Sequence, residues 1–174
     1  TGLIAITLRE DDELIGVRLV DRKDQLILGT HFGMSIRFSV DDVSSMGRTA
    51  QGVKGINLQS SDRVVSMDIV QEGQDVLVVT EKGFGKRTDE NEFRTQARGG
   101  KGVIIQKITD KTGHVAGLRV VGENDEVMLC TTSGIMIRMM ASDISKMSRN
   151  TRGVTLIKLE KDDLLASMAV VTED

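Results

Sequence analysis

"LIGVRLV", residues 14–20, returns three times in this chain: as "VVSMDIV" (64–70), "VAGLRVV" (115–121) and "LASMAVV" (165–171), at steps of 50, 51 and 50 residues. Self-similarity at a fixed period of this length marks a repeat architecture. Within the copies, apolar residues alternate with small or polar ones. Ile15, Val17 and Leu19 alternate with Gly16 and Arg18, and Val65, Met67 and Ile69 with Ser66 and Asp68. That period of two predicts a strand. One interleaved position holds Gly16, Ser66, Gly117 and Ser167, which predicts close packing on that side.

Each of the last three copies is preceded by the same series of signals. A run such as "QLILGT", "DVLVVT" or "EVMLCT" leads into Thr-x-x-Gly, a hairpin turn, in "THFGMSIR" (30–37), "TEKGFGKR" (80–87) and "TTSGIMIR" (131–138). A strand carrying Arg37, Arg87 or Arg138 follows. Then come "VDDVSSM" (40–46) and "ASDISKM" (141–147), each read as one helical turn, and a looser glycine-rich segment. The pattern amounts to about four short strands per period and no long helix. The expected fold is therefore all-β: a propeller-like partial wheel of four-stranded antiparallel blades. Residues 1–23 end one repeat, and 24–73, 74–124 and 125–174 are three more, in one partial domain over 1–174. The nine methionines and the aliphatic runs are expected between blades as core.

Composition narrows the function. The single cysteine, Cys130, forms no internal disulfide or multi-cysteine zinc site, and is expected as a small buried strand residue. No apolar run reaches membrane-spanning length and no signal peptide is evident, so the expected setting is a reducing cytosol without a membrane partner. The chain has no tyrosine or tryptophan and only four phenylalanines. That excludes a tyrosine nucleophile and disfavours stacking of bases on aromatic platforms.

The segment "FRTQARGGKGVI" (93–104) packs three glycines and three cations into twelve residues. It is not a Walker A loop: Thr95 stands where the first glycine belongs, Gly102 replaces the Ser/Thr that holds magnesium, and no helix follows. Its counterparts are "MGRTAQGVKGI" (46–56) and "MSRNTRGVTLI" (147–157). Aligning the three makes Gly52, Gly99 and Gly153 equivalent, with glycine permitting a positive φ. A turn needs no charge, yet cations return in every copy. Residues 33–55, 83–107 and 134–158 together hold fourteen Lys/Arg against six Asp/Glu, a net +8. The rest of the chain holds nine against twenty, a net −11, which restores the overall −3.

A wheel places equivalent loops around one rim, and a cationic rim opened by glycines suits a long polyanion, with backbone N–H groups joining Arg and Lys on phosphate. The expected phosphate contacts are Arg48, Lys54, Arg94, Arg98, Lys101, Arg149 and Arg152, with Gly52, Gly55, Gly99, Gly100, Gly102 and Gly153 opening the loops. Arg37, Lys86, Arg87 and Arg138 extend the track; the competing reading of the arginine class is a blade-to-blade salt bridge. His31 and His114 read as ordinary surface residues. No catalytic or metal cluster stands out, although an interaction propeller and an enzyme with a central-channel site remain rival classes.

Taken together, "GLIAITLREDDELIGVRL", "MGRTAQGVKGI", "TEKGFGKRT", "FRTQARGGKGV", "SGIMIRM" and "RNTRGVTLI" resemble the C-terminal domain of bacterial DNA gyrase A across the whole chain. The related domain of the topoisomerase IV A protein, with more degenerate repeats, ranks second. The resemblance implies a β-pinwheel whose blades exchange strands and whose basic perimeter wraps duplex DNA, supporting negative supercoiling. It implies no cofactor here, with ATP and magnesium used elsewhere in an A2B2 holoenzyme, and as partners the gyrase A N-terminal domain and gyrase B. The family's glycine box reads Gln-basic-Arg-Gly-Gly-basic-Gly; "QARGGKG" (96–102) matches except at Ala97. The fragment corresponds to about three and a half of six blades, and self-association of a truncated wheel is a further expectation.

Overall fold

The computed structural model describes residues 1–172; Glu173 and Asp174, part of the acidic C-terminal "TED", lie outside the described residues. Each of the last three repeats begins with a hairpin: β1 (Gln25–Thr30) with β2 (Met34–Ser39), β4 (Asp75–Thr80) with β5 (Phe84–Asp89), and β8 (Glu126–Thr131) with β9 (Met136–Met140). Single 3-10 turns follow at Val40–Asp42 and Ala141–Asp143, where the sequence predicts one helical turn, and at Glu90–Glu92, where no such turn is predicted. The chain then loops out and returns to pair with its own first strand, as β3 (Val64–Ile69) on β1, β7 (Val115–Val121) on β4 and β11 (Leu165–Val171) on β8.

The fourth strand of each blade is borrowed. β6 (Val103–Ile104), from the second full repeat, pairs with β2, and β10 (Val154–Thr155), from the third, pairs with β5. The sheets therefore run β3-β1-β2-β6, β10-β5-β4-β7 and β11-β8-β9. The last sheet has three strands because no further copy within the described residues reaches β9.

The segment 14–20 departs from expectation: no strand forms anywhere in residues 1–24. Its counterparts β3, β7 and β11 each pair with the first strand of their own repeat, and residues 1–13 form no strand to pair with it. A lone strand has no ladder to satisfy its backbone. Its apolar side chains stay in solvent, with Leu19 98% exposed, while Arg18 holds an ion pair of 3.2 Å with Asp68 of β3.

Core forms between blades. Ile27 of β1 packs with Val76, Val78, Leu118 and Val120. Leu77 and Val79, on the other face of β4, pack with Val127, Leu129 and Leu165. Every residue of β4 is buried, as a strand covered on both faces must be. β3 packs on β7 and β7 on β11, so the returning strands form the hub. There the Gly/Ser position is tight as predicted: the Ser66 hydroxyl accepts from the Leu118 N–H, and a Cβ on Gly117 would meet Met168 at 3.5 Å. The borrowed strands occupy the opposite sheet edges and define the rim.

Methionine burial is incomplete. Met67 and Met168 pack against cores, but Met46, Met136 and Met140 are exposed, the last two on β9, whose outer face no blade covers. Cys130 is half-buried for a related reason: it lies on β8 of that same final blade.

Candidate nucleic-acid interface

The three cationic loops share one mode of attachment. The Thr7 N–H donates to the Ala50 carbonyl (3.2 Å), Asn57 to Gly100 (2.8 Å) and Lys107 to Thr151 (3.0 Å). Donors are spaced by 50 and 50 residues and acceptors by 50 and 51, so each loop rests on the segment that follows the preceding loop. A side-chain clamp repeats as well. The Arg98 guanidinium donates to the Lys54 carbonyl at 2.7 Å and to that of Asp42 at 2.9 Å; Arg149, one repeat on, donates to the Ile104 carbonyl at 2.9 Å. The second loop runs through β6 directly into the segment supporting the third. Lys54, Arg98 and Lys101, then Arg149 and Arg152, are thus carried on successive loops attached in this way. Arg48 sits on the first loop, and Arg94 is exposed just past the second 3-10 turn.

Charge separates the sequence-predicted residues into two groups. Among the described residues, none of Arg48, Lys54, Arg94, Arg98, Lys101, Arg149 or Arg152 forms an ion pair with a carboxylate. Arg37, Lys86 and Arg87 are internally consumed, which corrects the expectation that they extend an outer track. Arg37 pairs with Glu90 and donates to Gln25 Oε1 at 2.6 Å and to the Phe93 carbonyl at 3.2 Å. Arg87, 7% exposed, bonds Asp75 at 2.9 Å and the Ile144 carbonyl at 2.8 Å. Arg138 is exposed and pairs with Glu126. Arg37 and Arg87 project from the second strand of a blade toward the next repeat, so their work is joining blades. A signal for this was present: the partners Gln25, Asp75 and Glu126 recur at steps of 50 and 51.

Lys86 is fully buried. Its Nζ donates to the carbonyls of Ser148 (2.9 Å), Arg149 and Thr151 (2.9 Å) and to Thr151 Oγ1 (3.0 Å). Burial pushes its ammonium down to about 8, with Glu92 opposing the shift and Arg149 adding to it.

The glycine alignment also shifts. Gly102, not Gly99, is the counterpart of Gly153: both have φ +77 and both press on the second strand of the preceding blade, at Ser35 and Gly85. Gly52 (φ +84) precedes them by fifty residues, with open space beside it. Gly99 (φ +83) is an additional turn whose N–H donates to Gly55 at 2.8 Å. Gly100 abuts Ile36, and Gly55 abuts Leu28. Two further cations, Lys107 and Lys158, are exposed or nearly so, 51 residues apart and just beyond the borrowed strands. They were not among the predicted contacts, although the same periodicity identifies them.

His31 and His114 are not isolated surface residues. Their rings stack at 4.3 Å between blades, beside Phe32. Burial, and then the charge of Arg63, lower the pKa of His31.

The family model for the DNA gyrase C-terminal domain, beta-propeller, matches residues 1–21, 24–71, 74–122 and 125–172. The DNA gyrase A protein of Haloquadratum walsbyi is 46% identical over 97% of the chain, and that of Staphylococcus aureus 43% identical over 99%. The chain spans 20% of the length of each. Among solved structures, a DNA gyrase A C-terminal domain matches with a TM-score of 0.92 at 28% identity, covering 98% of this chain and 58% of that one. The C-terminal domain of a DNA topoisomerase IV matches with a TM-score of 0.91 at 28% identity, covering 96% and 52%.

Proposed function

This chain belongs to the family of the DNA gyrase C-terminal domain, beta-propeller, and on that footing we propose that it is a non-catalytic module that binds duplex DNA along its rim and bends it. One observation carries the reading. The loops that carry these cations are joined by one repeated backbone bond, and among the described residues the loop cations form no ion pair with a carboxylate, while Arg37, Arg87 and Arg138 each have one. A phosphate backbone following those loops meets Arg and Lys at each blade, plus loop N–H groups. No recognition helix is available for a groove among the described residues, so sequence is read through the ease of bending. Bending 20–30 base pairs by 40–90° costs roughly 1–6 kcal/mol, which the successive phosphate contacts offset.

In the whole protein this module serves a type IIA topoisomerase in the bacterial cytoplasm. It acts with the gyrase A N-terminal domain and with gyrase B, and its wrap sets the sign of the crossing for ATP-dependent negative supercoiling. The nearly equal fold match to topoisomerase IV leaves the gyrase assignment resting on the sequence relatives.

The test is a mobility-shift titration of long duplex at several salt concentrations, with the parent and with the Arg98→Gln, Lys101→Gln, Arg149→Gln, Arg152→Gln variant. Loss of four phosphate contacts flattens the log–log salt slope by about 3 to 4. An unchanged slope, or binding indifferent to salt, refutes the reading and favours a protein partner. Topoisomer analysis of closed circles then reports the bend and its sign.

A further inference from the structure

We propose that Lys86 is a positioning residue of the rim: its buried ammonium draws the carbonyls of Ser148, Arg149 and Thr151 inward and so turns the peptide N–H groups of Asn150 and Arg152 outward, as a seat for a phosphate oxygen. The inference rests on the phosphate-binding reading above and adds to it a residue that touches no DNA.

The reason lies in peptide geometry. In a trans peptide the C=O of one residue and the N–H of the next point in opposite directions, and the described residues contain no cis peptide. With the carbonyls of residues 148, 149 and 151 converging on Nζ, the N–H groups of residues 149, 150 and 152 face away from it. The first of these already holds an anionic oxygen, donating to Glu92 Oε1 at 3.1 Å. The other two lie between the guanidinium-bearing residues Arg149 and Arg152, a sequence of outward N–H groups and cations of the kind that binds phosphate.

Packing alone does not require a lysine here. The equivalent positions in the neighbouring blades are Ile36 and Ile137, and burying an ammonium is costly unless acceptors surround it. The loop facing Ile36 differs in a compensating way. It contains Gly99 and Gly100, and the Gly99 N–H is tied to Gly55. The loop over Lys86 has no glycine before Gly153 and is shaped from beneath by the lysine. The charged groups around Nζ are Glu92, from the 3-10 turn, and Arg149, from the loop; Ser148 and Thr151 do not titrate.

The experiment uses the full-length protein with a long duplex at fixed ionic strength, comparing the parent, Lys86→Met and Arg149→Gln/Arg152→Gln. Lys86→Met is expected to melt within a few degrees of the parent. It binds duplex about 5- to 10-fold more weakly at the parent's salt slope, because the donors lost are uncharged N–H groups. The parent's affinity declines from about pH 7 to about 9.5 as Lys86 loses its proton, and that of Lys86→Met does not. Parent-like affinity in Lys86→Met, alongside weakened binding in the double arginine variant, overturns the positioning role and leaves phosphate binding standing. No effect of the double variant overturns both. If Lys86→Met does not fold, the parent's profile decides, and pH-independent affinity across that window overturns the proposal.

Discussion

Gly52, Gly102 and Gly153 occupy one position in three repeats, and replacing each by alanine separates backbone strain from steric exclusion. All three have φ between +77 and +84, where an L side chain costs about 1–2 kcal/mol. At Gly52 nothing lies within 4 Å of the new Cβ, so strain is the whole cost. At Gly102 the Cβ overlaps the Ser35 carbonyl oxygen. Ser35 cannot withdraw, because β2 is held in register by β1 through Gly29↔Ser35. Relief comes by parting β6 from β2. That forfeits the pairing of Met34↔Ile104 and Ser35↔Val103, about two hydrogen bonds at about 1 kcal/mol each. It also loosens Ile105, fully buried in the core between the first two blades. The total is about 4 kcal/mol or somewhat more, equivalent to a fall of roughly 8–16 °C in melting temperature at this chain length. Gly153→Ala, with its Cβ 2.6 Å from the Gly85 carbonyl oxygen, follows the same logic at the next blade. Urea denaturation of the three variants side by side measures the differences. If Gly102→Ala lies within about 1 kcal/mol of Gly52→Ala, the borrowed strand is not what that glycine protects.

The strand arginines are expected to grade with burial. Arg87→Met leaves buried Asp75 with Lys146 alone, at 2.9 Å, and costs about 1.5–3 kcal/mol, whereas Arg138→Met, in an exposed pair with Glu126, costs about 1 kcal/mol or less; denaturant titration that reverses this order refutes the blade-joining role. Because Arg87 faces inward, a folded Arg87 variant keeps the parent's salt slope on duplex, and a flattened slope returns it to the phosphate track. Asp163 accepts from the hydroxyls of Thr132 and Ser133 at 2.7 Å each and from the Ser133 N–H at 3.0 Å, and these bonds, the Ser133 hydroxyl first, hold its carboxyl well below the usual range. A carboxylate with a depressed folded pKa adds stability that is present above its unfolded value, near about pH 4, and lost as pH falls further. Asp163→Asn therefore flattens the acid side of the stability profile, and an unaltered acid limb counts against the assignment.

The hairpin and returning strand of each blade were legible because alternation and period are local properties. "DVLVVT" is a strand covered on both faces in any packing that buries it. The recurrence of the loop cations was legible because a charge that returns at a fixed interval is visible in the order of residues. The fate of Arg37 and Arg87 was harder to read, since the groups that join them to the next blade, Glu90 and Phe93 for one and the Ile144 carbonyl for the other, lie more than fifty residues away in sequence. The equivalence of Gly102 with Gly153 was hidden by Gly99, which matches the motif by eye but makes a different turn.

What the chain's order of residues determined was the number and kind of strands, the repeat and the sign of the rim, since each follows from a pattern within fifty residues. What only the tertiary structure decided was which cations remain free. That depends on where the chain sets carboxylates and carbonyls around them: Asp75 of the same hairpin and the Ile144 carbonyl of the next repeat enclose Arg87, and the Ser148, Arg149 and Thr151 carbonyls of the next repeat enclose Lys86. Residues 14–20, with no paired strand among the described residues, illustrate the same dependence. A strand's hydrogen bonds belong to its neighbour as much as to itself, and residues that read as strand become one only when the partner is there.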